Sequence, residues 1–281
     1  MAGVMQMICA WKQLLSVLPH EIGAQVDSVG RDTMQELRLR LNAQPEIVSA
    51  AGSVWLKQTV RQEDLNYVVN AASRYSPWCA STITQGYLTA PGGHRIGICG
   101  DAVCHCDTSG GFQRITSLCI RVARDYPGAA DRILDTWRSV LIVGAPGWGK
   151  TTLLRDLARR IAKDRVVCVV DEREELFPEG LQRGKRMDVL HGYSKPRGID
   201  MVLRTMCPDY IAVDEITGES DCYGLIQAAN CGVRLIATAH GTGLQDLRQR
   251  VVYQPLVDRK IFHTIVLLKK DKSYSVERVV S

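Results

Sequence analysis

No run of 18 consecutive apolar residues occurs anywhere in the 281-residue chain, so no membrane-spanning helix is expected. A secretory leader is not expected either: the apolar patches of Met1–Leu18 are interrupted by Gln6, Lys12, Gln13 and Ser16, with no basic start. Any membrane role must therefore come through a partner. Aromatic residues are scarce at 6%, which argues against the stacking platforms that bind single-stranded nucleic acid. There is no large surplus of one charge. Lys and Arg number 35 against 30 Asp and Glu, and residues 1–135 balance at 12 of each, so the excess lies wholly in residues 136–281. Such a small surplus suits phosphate binding and does not argue for a nucleic-acid partner. Internal repeats and low-complexity tracts are missing too.

Ten cysteines are present, but no repeated framework joins them, so they read as reduced thiols of a cytoplasmic protein. The densest group, "CGDAVCHC", holds Cys99, Cys104, His105 and Cys106. Its spacing departs from the usual zinc pairs, which favours buried or hairpin thiols over a metal site.

A chain of this length calls for two domains. The first part reads as α+β: a helix over Gln6–Leu18, a strand over Glu36–Leu41, and a helix from near Glu63 whose Leu65, Val68, Val69 and Ala72 share one face. Thr89–Val103 alternates β-like runs with turns at Pro91-Gly92-Gly93, and Gln113–Asp125 reads as a further strand pair. Beyond Asp131, apolar runs at Val140–Val143, Val166–Val170, Tyr210–Val213, Leu235–Thr238 and Thr264–Leu268 alternate with helical segments. That alternation signals a mostly parallel sheet with crossover helices. The expected division is an α+β domain over 1–130 and a RecA-like α/β P-loop domain over 131–281.

Residues 144–151 fit G-x-x-x-x-G-K-[ST] at every fixed position, after a strand and at the start of a helix. Gly144, Ala145, Pro146, Gly147, Trp148, Gly149, Lys150, Thr151 and Thr152 are thus the candidate nucleotide-binding residues. Glycines let backbone N–H groups turn inward on phosphate oxygens, and the helix N-terminus adds its positive dipole. Lys150 neutralises the outer phosphates and Thr151 offers a hydroxyl to Mg²⁺. Trp148 is bulky for its place; its ring either packs against a neighbouring loop or meets an adjacent subunit.

"PDYIAVDE" ends an apolar strand in Asp214, which suits Mg²⁺ together with Thr151, followed by Glu215, which suits polarising the attacking water. "VVDEREELF" places Asp171, Glu172, Glu174 and Glu175 at another strand's carboxyl end, where open α/β sheets bind ligands, and Glu172 is the favoured candidate of that group. In "LIATAHG", His240 follows a strand and is placed to sense the γ-phosphate.

In this order, "GAPGWGKTT", "VVDEREE", "PDYIAVDE" and "ATAHG" resemble the P-loop, acidic box, Walker B and histidine box of type II/type IV pilus secretion ATPases. The match is closer to the sporulation stage III AA family, through "LRLRL", "GYLTAPGGHRIGICG", "ITSLCIRVARD" and "RMDVLHG" besides. The resemblance implies a cytoplasmic ATPase using ATP and Mg²⁺, forming a homo-oligomer, expected as a hexameric ring. It would drive assembly or transport by a channel between mother cell and forespore, with membrane-protein components of that complex as partners and no direct nucleic acid. Secretion motors often carry Gly-Glu where this chain has Asp214-Glu215, so both Glu215 and Glu172 stand as candidates for activating water. Ring motors also receive arginines from a neighbour's N-terminal domain, for which Arg95, Arg114 and Arg121 are candidates; Arg204 is the candidate from the same chain. The alternative is a nucleic-acid-dependent RecA-type ATPase.

Overall fold

Two units divide the chain: Met7–Asp125 with Pro178–Leu181, and Tyr126–Phe177 with Gln182–Ser281. The computed structural model describes residues 7–29, 33–74, 80–105, 108–133, 138–178 and 180–279.

The first unit opens with α1 (Trp11–Ser16) and α2 (His20–Val29). One helix was expected over 6–18, of which residue 6 lies outside the described residues. The structure ends α1 at Ser16 and starts α2 just past Pro19, whose ring disfavours helical geometry in the residue before it. Next come β1 (Met34–Arg40), β2 (Glu46–Ser49), β3 (Gly52–Trp55), α3 (Gln62–Ser73), α4 (Ala80–Thr84), β4 (Tyr87–Ala90), β5 (His94–His105) and β6 (Thr108–Arg121). The strands form one sheet in the order β3-β2-β1-β6-β5-β4, with every neighbouring pair antiparallel. The expected strand pair over 113–125 is instead a single long strand. β6 is paired on both edges, with β5 and β1, and no turn residue interrupts Gln113–Arg121.

The first core forms on one face of this sheet. Leu37 and Leu39 of β1, Ile96 and Ile98 of β5, and Leu118 and Ile120 of β6 are buried two residues apart, as a half-covered sheet requires. The apolar stripe of α3 (Leu65, Val68, Val69 and Ala72) joins them. Asp64 accepts a bond from the Arg61 N–H at 2.8 Å at the start of α3, and left-handed Arg74 ends it.

The second unit contains β7 (Val140–Val143), α5 (Lys150–Ile161), β8 (Val167–Asp171), β9 (Met187–His191), α6 (Lys195–Thr205), β10 (Tyr210–Val213), α7 (Glu219–Asn230), β11 (Arg234–Ala239), α8 (Leu244–Gln249), α9 (Gln254–Asp258), β12 (Thr264–Leu268) and β13 (Tyr274–Arg278). Its sheet runs β13-β12-β7-β11-β10-β8-β9, parallel throughout except for the β12–β13 hairpin. Alternate residues of each central strand serve opposite faces. Val140, Ile142, Val167, Val169, Tyr210 and Ala212 pack with Leu153, Leu154 and Leu157 of α5. Leu141, Val143, Val170, Ile211 and Val213 pack with Ile199 of α6 and Leu225 of α7. Burial on both faces explains why these strands read as unbroken apolar runs. Since β7, β8, β10 and β11 are parallel, their carboxyl ends and following loops come out together at one edge of the sheet.

Candidate active site

The loop after β7 relies on its glycines. Gly147 (φ 75°) and Gly149 (φ 101°) occupy left-handed conformations that L side chains resist. At Gly144, a Cβ would come within 3.0 Å of the Leu268 Cβ, so the loop lies close against β12. Trp148 is half-buried and packs against the α5-side core, which favours packing within the chain for its ring. Lys272 of the β12–β13 turn donates from Nζ to the Gly147 carbonyl at 2.5 Å.

Lys150 opens α5 and is buried. Its Nζ donates to the Ala145 carbonyl at 3.1 Å and lies 3.0 Å from His240 Nδ1. Desolvation pushes its pKa below the ordinary lysine value, opposed by the charges of Asp214 and Glu215. An ammonium can only donate, so His240 Nδ1 accepts and its Nε2 carries the hydrogen. That Nε2 is 2.9 Å from Glu215 Oε1, which completes a Lys150–His240–Glu215 chain.

Thr151, the next residue of α5, donates from Oγ1 to Asp214 Oδ2 at 2.7 Å. The other Asp214 oxygen accepts from the Thr238 hydroxyl, and that hydroxyl accepts from the Glu215 N–H at 2.7 Å. Thr238 is fully buried on β11. It is the pin that orients both acids, and it matters because Glu215 has a left-handed φ of 51°, a strained setting for a non-glycine residue.

These groups fit a magnesium nucleotide. The loop turns through two left-handed glycines beside a buried ammonium, and Thr151 and Asp214 already meet as a hydroxyl–carboxylate pair. Mg²⁺ keeps several waters and needs few protein ligands, which suits that sparse donor set. Thr152 follows on α5 and is partly exposed. Among the described residues no cluster of three His, Cys, Asp or Glu side chains is arranged for a metal.

The acidic stretch after β8 splits into separate roles. Asp171 is buried and accepts the N–H groups of Glu175, Leu176 and Phe177 at 2.9, 3.0 and 2.9 Å. Burial pushes its pKa up, against those hydrogen bonds and the nearby His191 and Arg155. It therefore shapes the turn. Glu172 is tied to buried Lys195, Nζ to Oε2 2.6 Å, and Lys195 also lies 3.8 Å from Asp221. Arg173 reaches Glu215, NH1 to Oε2 3.6 Å. Glu172, Arg173, Glu175, Lys195, Asp214 and Glu215 line one pocket.

The structure thus brings together Lys150, Thr151, Asp214, Glu215 and His240, with Glu172 in the adjoining pocket. It does not bring Arg204, which is exposed on α6 and pairs with Asp200 at 2.9 Å. In the other unit, Arg95 lies over the Tyr87 ring, Arg114 pairs with Asp101 at 2.8 Å, and Arg121 lies 3.6 Å from Glu36. Cys106 and the side chains of Cys104 and His105 lie outside the described residues, while Cys99 is exposed on β5. Sequence reasoning missed Arg173, Lys195 and Lys272. Arg173 carried a signal, as the one cation within an acidic run; Lys195 and Lys272 look like ordinary helix-start and turn lysines.

Residues 11–279 match the family described as "Sporulation stage III, protein AA". The chain is 31% identical to stage III sporulation protein AA of Bacillus subtilis (strain 168), covering 92% of this chain and 91% of that protein. In fold it is similar to the pilus retraction motor PilT with bound ADP, at TM-score 0.66 and 14% identity, over 93% of this chain and 83% of that one. It is likewise similar to the Legionella pneumophila ATPase DotB, at TM-score 0.60 and 15% identity, over 91% and 77%. The chain belongs to the sporulation stage III, protein AA family.

Proposed function

We propose that this member of the sporulation stage III, protein AA family is a Mg²⁺-dependent ATPase that converts ATP to ADP and phosphate. The observation that carries this is the Thr151–Asp214 hydrogen bond at 2.7 Å beside buried Lys150, which joins the P-loop helix to the acidic strand end. Lys150 and the loop amides hold the phosphates. Thr151 and Asp214 hold the metal, which neutralises charge on the phosphate oxygens when bound. Glu215, steadied by Thr238 and His240, takes the proton of the attacking water. His240 links the phosphate-binding lysine to that base, so it is placed to report on the γ-phosphate.

Residues 131–281 form the RecA-like ATPase domain in this reading and residues 1–130 the α+β domain that moves with turnover. The working form is a cytoplasmic homo-oligomeric ring, with a hexamer as the family's implied size. It is recruited by membrane-protein components of a sporulation channel and powers assembly or transport there. Among the described residues no helix is long and apolar enough to cross a membrane, so the link to a bilayer is assigned to a partner.

The test is phosphate release from ATP by the purified chain, with Mg²⁺ or with chelator, and with or without single-stranded DNA. Oligomer mass is measured with and without nucleotide. Magnesium-dependent release that Lys150→Ala abolishes supports the reading. Release no greater than that of Lys150→Ala overturns it, and strict dependence on DNA favours the nucleic-acid-dependent alternative.

A further inference from the structure

Arg173 belongs to a turn fixed from beneath. Buried Asp171 binds three successive amides at the far end of the turn, so the segment from 171 to 177 closes on a single carboxylate. From that platform Arg173 faces Glu215 Oε2 at 3.6 Å while His240 holds Oε1 at 2.9 Å. The Glu215 carboxylate is therefore bracketed, one oxygen to each partner. Its backbone is held in a strained conformation by Thr238, so the side chain's direction is decided by these two groups.

The other cation of the pocket has a different task. Lys195 is buried and committed to Glu172 and Asp221, two acids on separate elements. Arg173 is 51% exposed and Glu215 36%, and a pair so open to solvent contributes little to stability. A contact that does little for the fold yet touches the proposed base is a positioning contact.

We infer that Arg173 is a positioning residue of the same chain, which holds the Glu215 carboxylate in its working direction opposite His240. The inference rests on the ATPase reading, with Glu215 as base. An arginine suits the task because its planar, permanently charged fork directs a carboxylate, whereas lysine supplies only a point charge.

The experiment compares wild type, Arg173→Ala, Arg173→Lys, Glu215→Gln and the Arg173→Ala/Glu215→Gln double variant. Steady-state ATP turnover, ADP binding and thermal midpoint are measured for each. Arg173→Ala should lower kcat about tenfold or more while ADP affinity stays within about twofold and the midpoint barely moves. Arg173→Lys should recover part of the loss. In the Glu215→Gln background, Arg173→Ala should cost almost nothing further, because the group it acts through has gone. Mixing Arg173→Ala with Lys150→Ala protein should restore no activity, since no site would then hold both residues in one chain. Wild-type kcat in Arg173→Ala, a full additive loss in the double variant, or recovery on mixing overturns the inference and leaves the ATPase reading standing. Inactive wild-type protein, or a fully active Glu215→Gln, overturns the reading beneath it.

Discussion

Lys150 Nζ and His240 Nδ1 lie 3.0 Å apart, although 90 positions separate them in the chain. The contact ties the cation proposed to bind phosphate to the histidine that also meets Glu215, so the charge state of one lysine bears on the whole site.

That lysine yields a pH prediction. Burial lowers its pKa, so its proton is lost at a pH below the usual 10.5. Phosphate binding needs the ammonium. ADP affinity should be full below the lowered pKa and fall as pH rises through it, earlier than an ordinary lysine would give. For folding, the unfolded chain holds this proton more tightly, so the group's contribution to stability rises with pH between the lowered value and 10.5. Titrating ADP binding from about pH 7 to 10 for wild type and Lys150→Arg is the check, since arginine stays charged throughout. Parallel curves for the two proteins would remove Lys150 from phosphate binding. At neutral pH, Lys150→Ala should greatly weaken ATP binding.

Glu215→Gln should keep ATP binding and lower turnover about a hundredfold or more, as loss of a water-orienting base implies. Glu172→Gln should lower it less, because that carboxylate is already engaged by Lys195 at 2.6 Å. Its main cost should fall on the melting temperature, since it weakens the partner of a buried ammonium. If Glu172→Gln proves the slower enzyme in single-turnover assays, the base has been assigned to the wrong acid.

Thr238→Val keeps the shape of the side chain and removes both of its hydrogen bonds. The Glu215 N–H loses its acceptor and Asp214 a donor, which should cost about 1–3 kcal/mol in denaturant unfolding. Turnover should drop about tenfold with nucleotide affinity little changed, because the pinned acids serve the chemical step more than binding. Unchanged stability and turnover together would show that this hydroxyl does not orient the acids.

Arg95 and Arg121 are direct cross-strand partners on β5 and β6, so two guanidinium groups share one face of the sheet. Arg121 also lies 3.6 Å from Glu36. At least one of Arg95, Arg114 and Arg121 is expected to complete a neighbouring subunit's site. Arg114 meets Asp101 through both its Nε and NH2. Mixing each Arg→Ala variant with Lys150→Ala protein should restore part of the activity, and specific activity should rise with concentration. Flat specific activity with no recovery in any mixture would place every essential cation within one chain.

The sequence made the parallel sheet legible because its strands are buried on both faces and appear as unbroken apolar runs, as at Val140–Val143 and Tyr210–Val213. β9 and β13 escaped notice since edge strands need no such run: Asp188 and Glu277 sit within them, exposed. Motifs with fixed spacing placed Lys150, Thr151, Asp214, Glu215 and His240 around one point. The same reading favoured Glu172 within its acidic group, and only the fold shows Lys195 beside it. Arg204 looked close to Walker B by chain position, but α6 turns it toward solvent and Asp200. Pairings between side chains on different elements leave no periodic trace, which is why Arg173 and the Thr238 pin emerged only in three dimensions.

The parallel register of β7, β11 and β10 also governs the order in which the protein can mature. Local hairpins can form early, but these strands meet only after long intervening segments have been reeled in, and such non-local pairing is slow. Thr151, Asp214 and Thr238 do not meet until all three strands have docked. Nucleotide capture should therefore be among the last properties to return when the denatured chain refolds, later than most of its helix signal. A ligand that recognises only the finished sheet draws the population toward it, so nucleotide added during refolding should raise the yield of native protein without hastening the early phases.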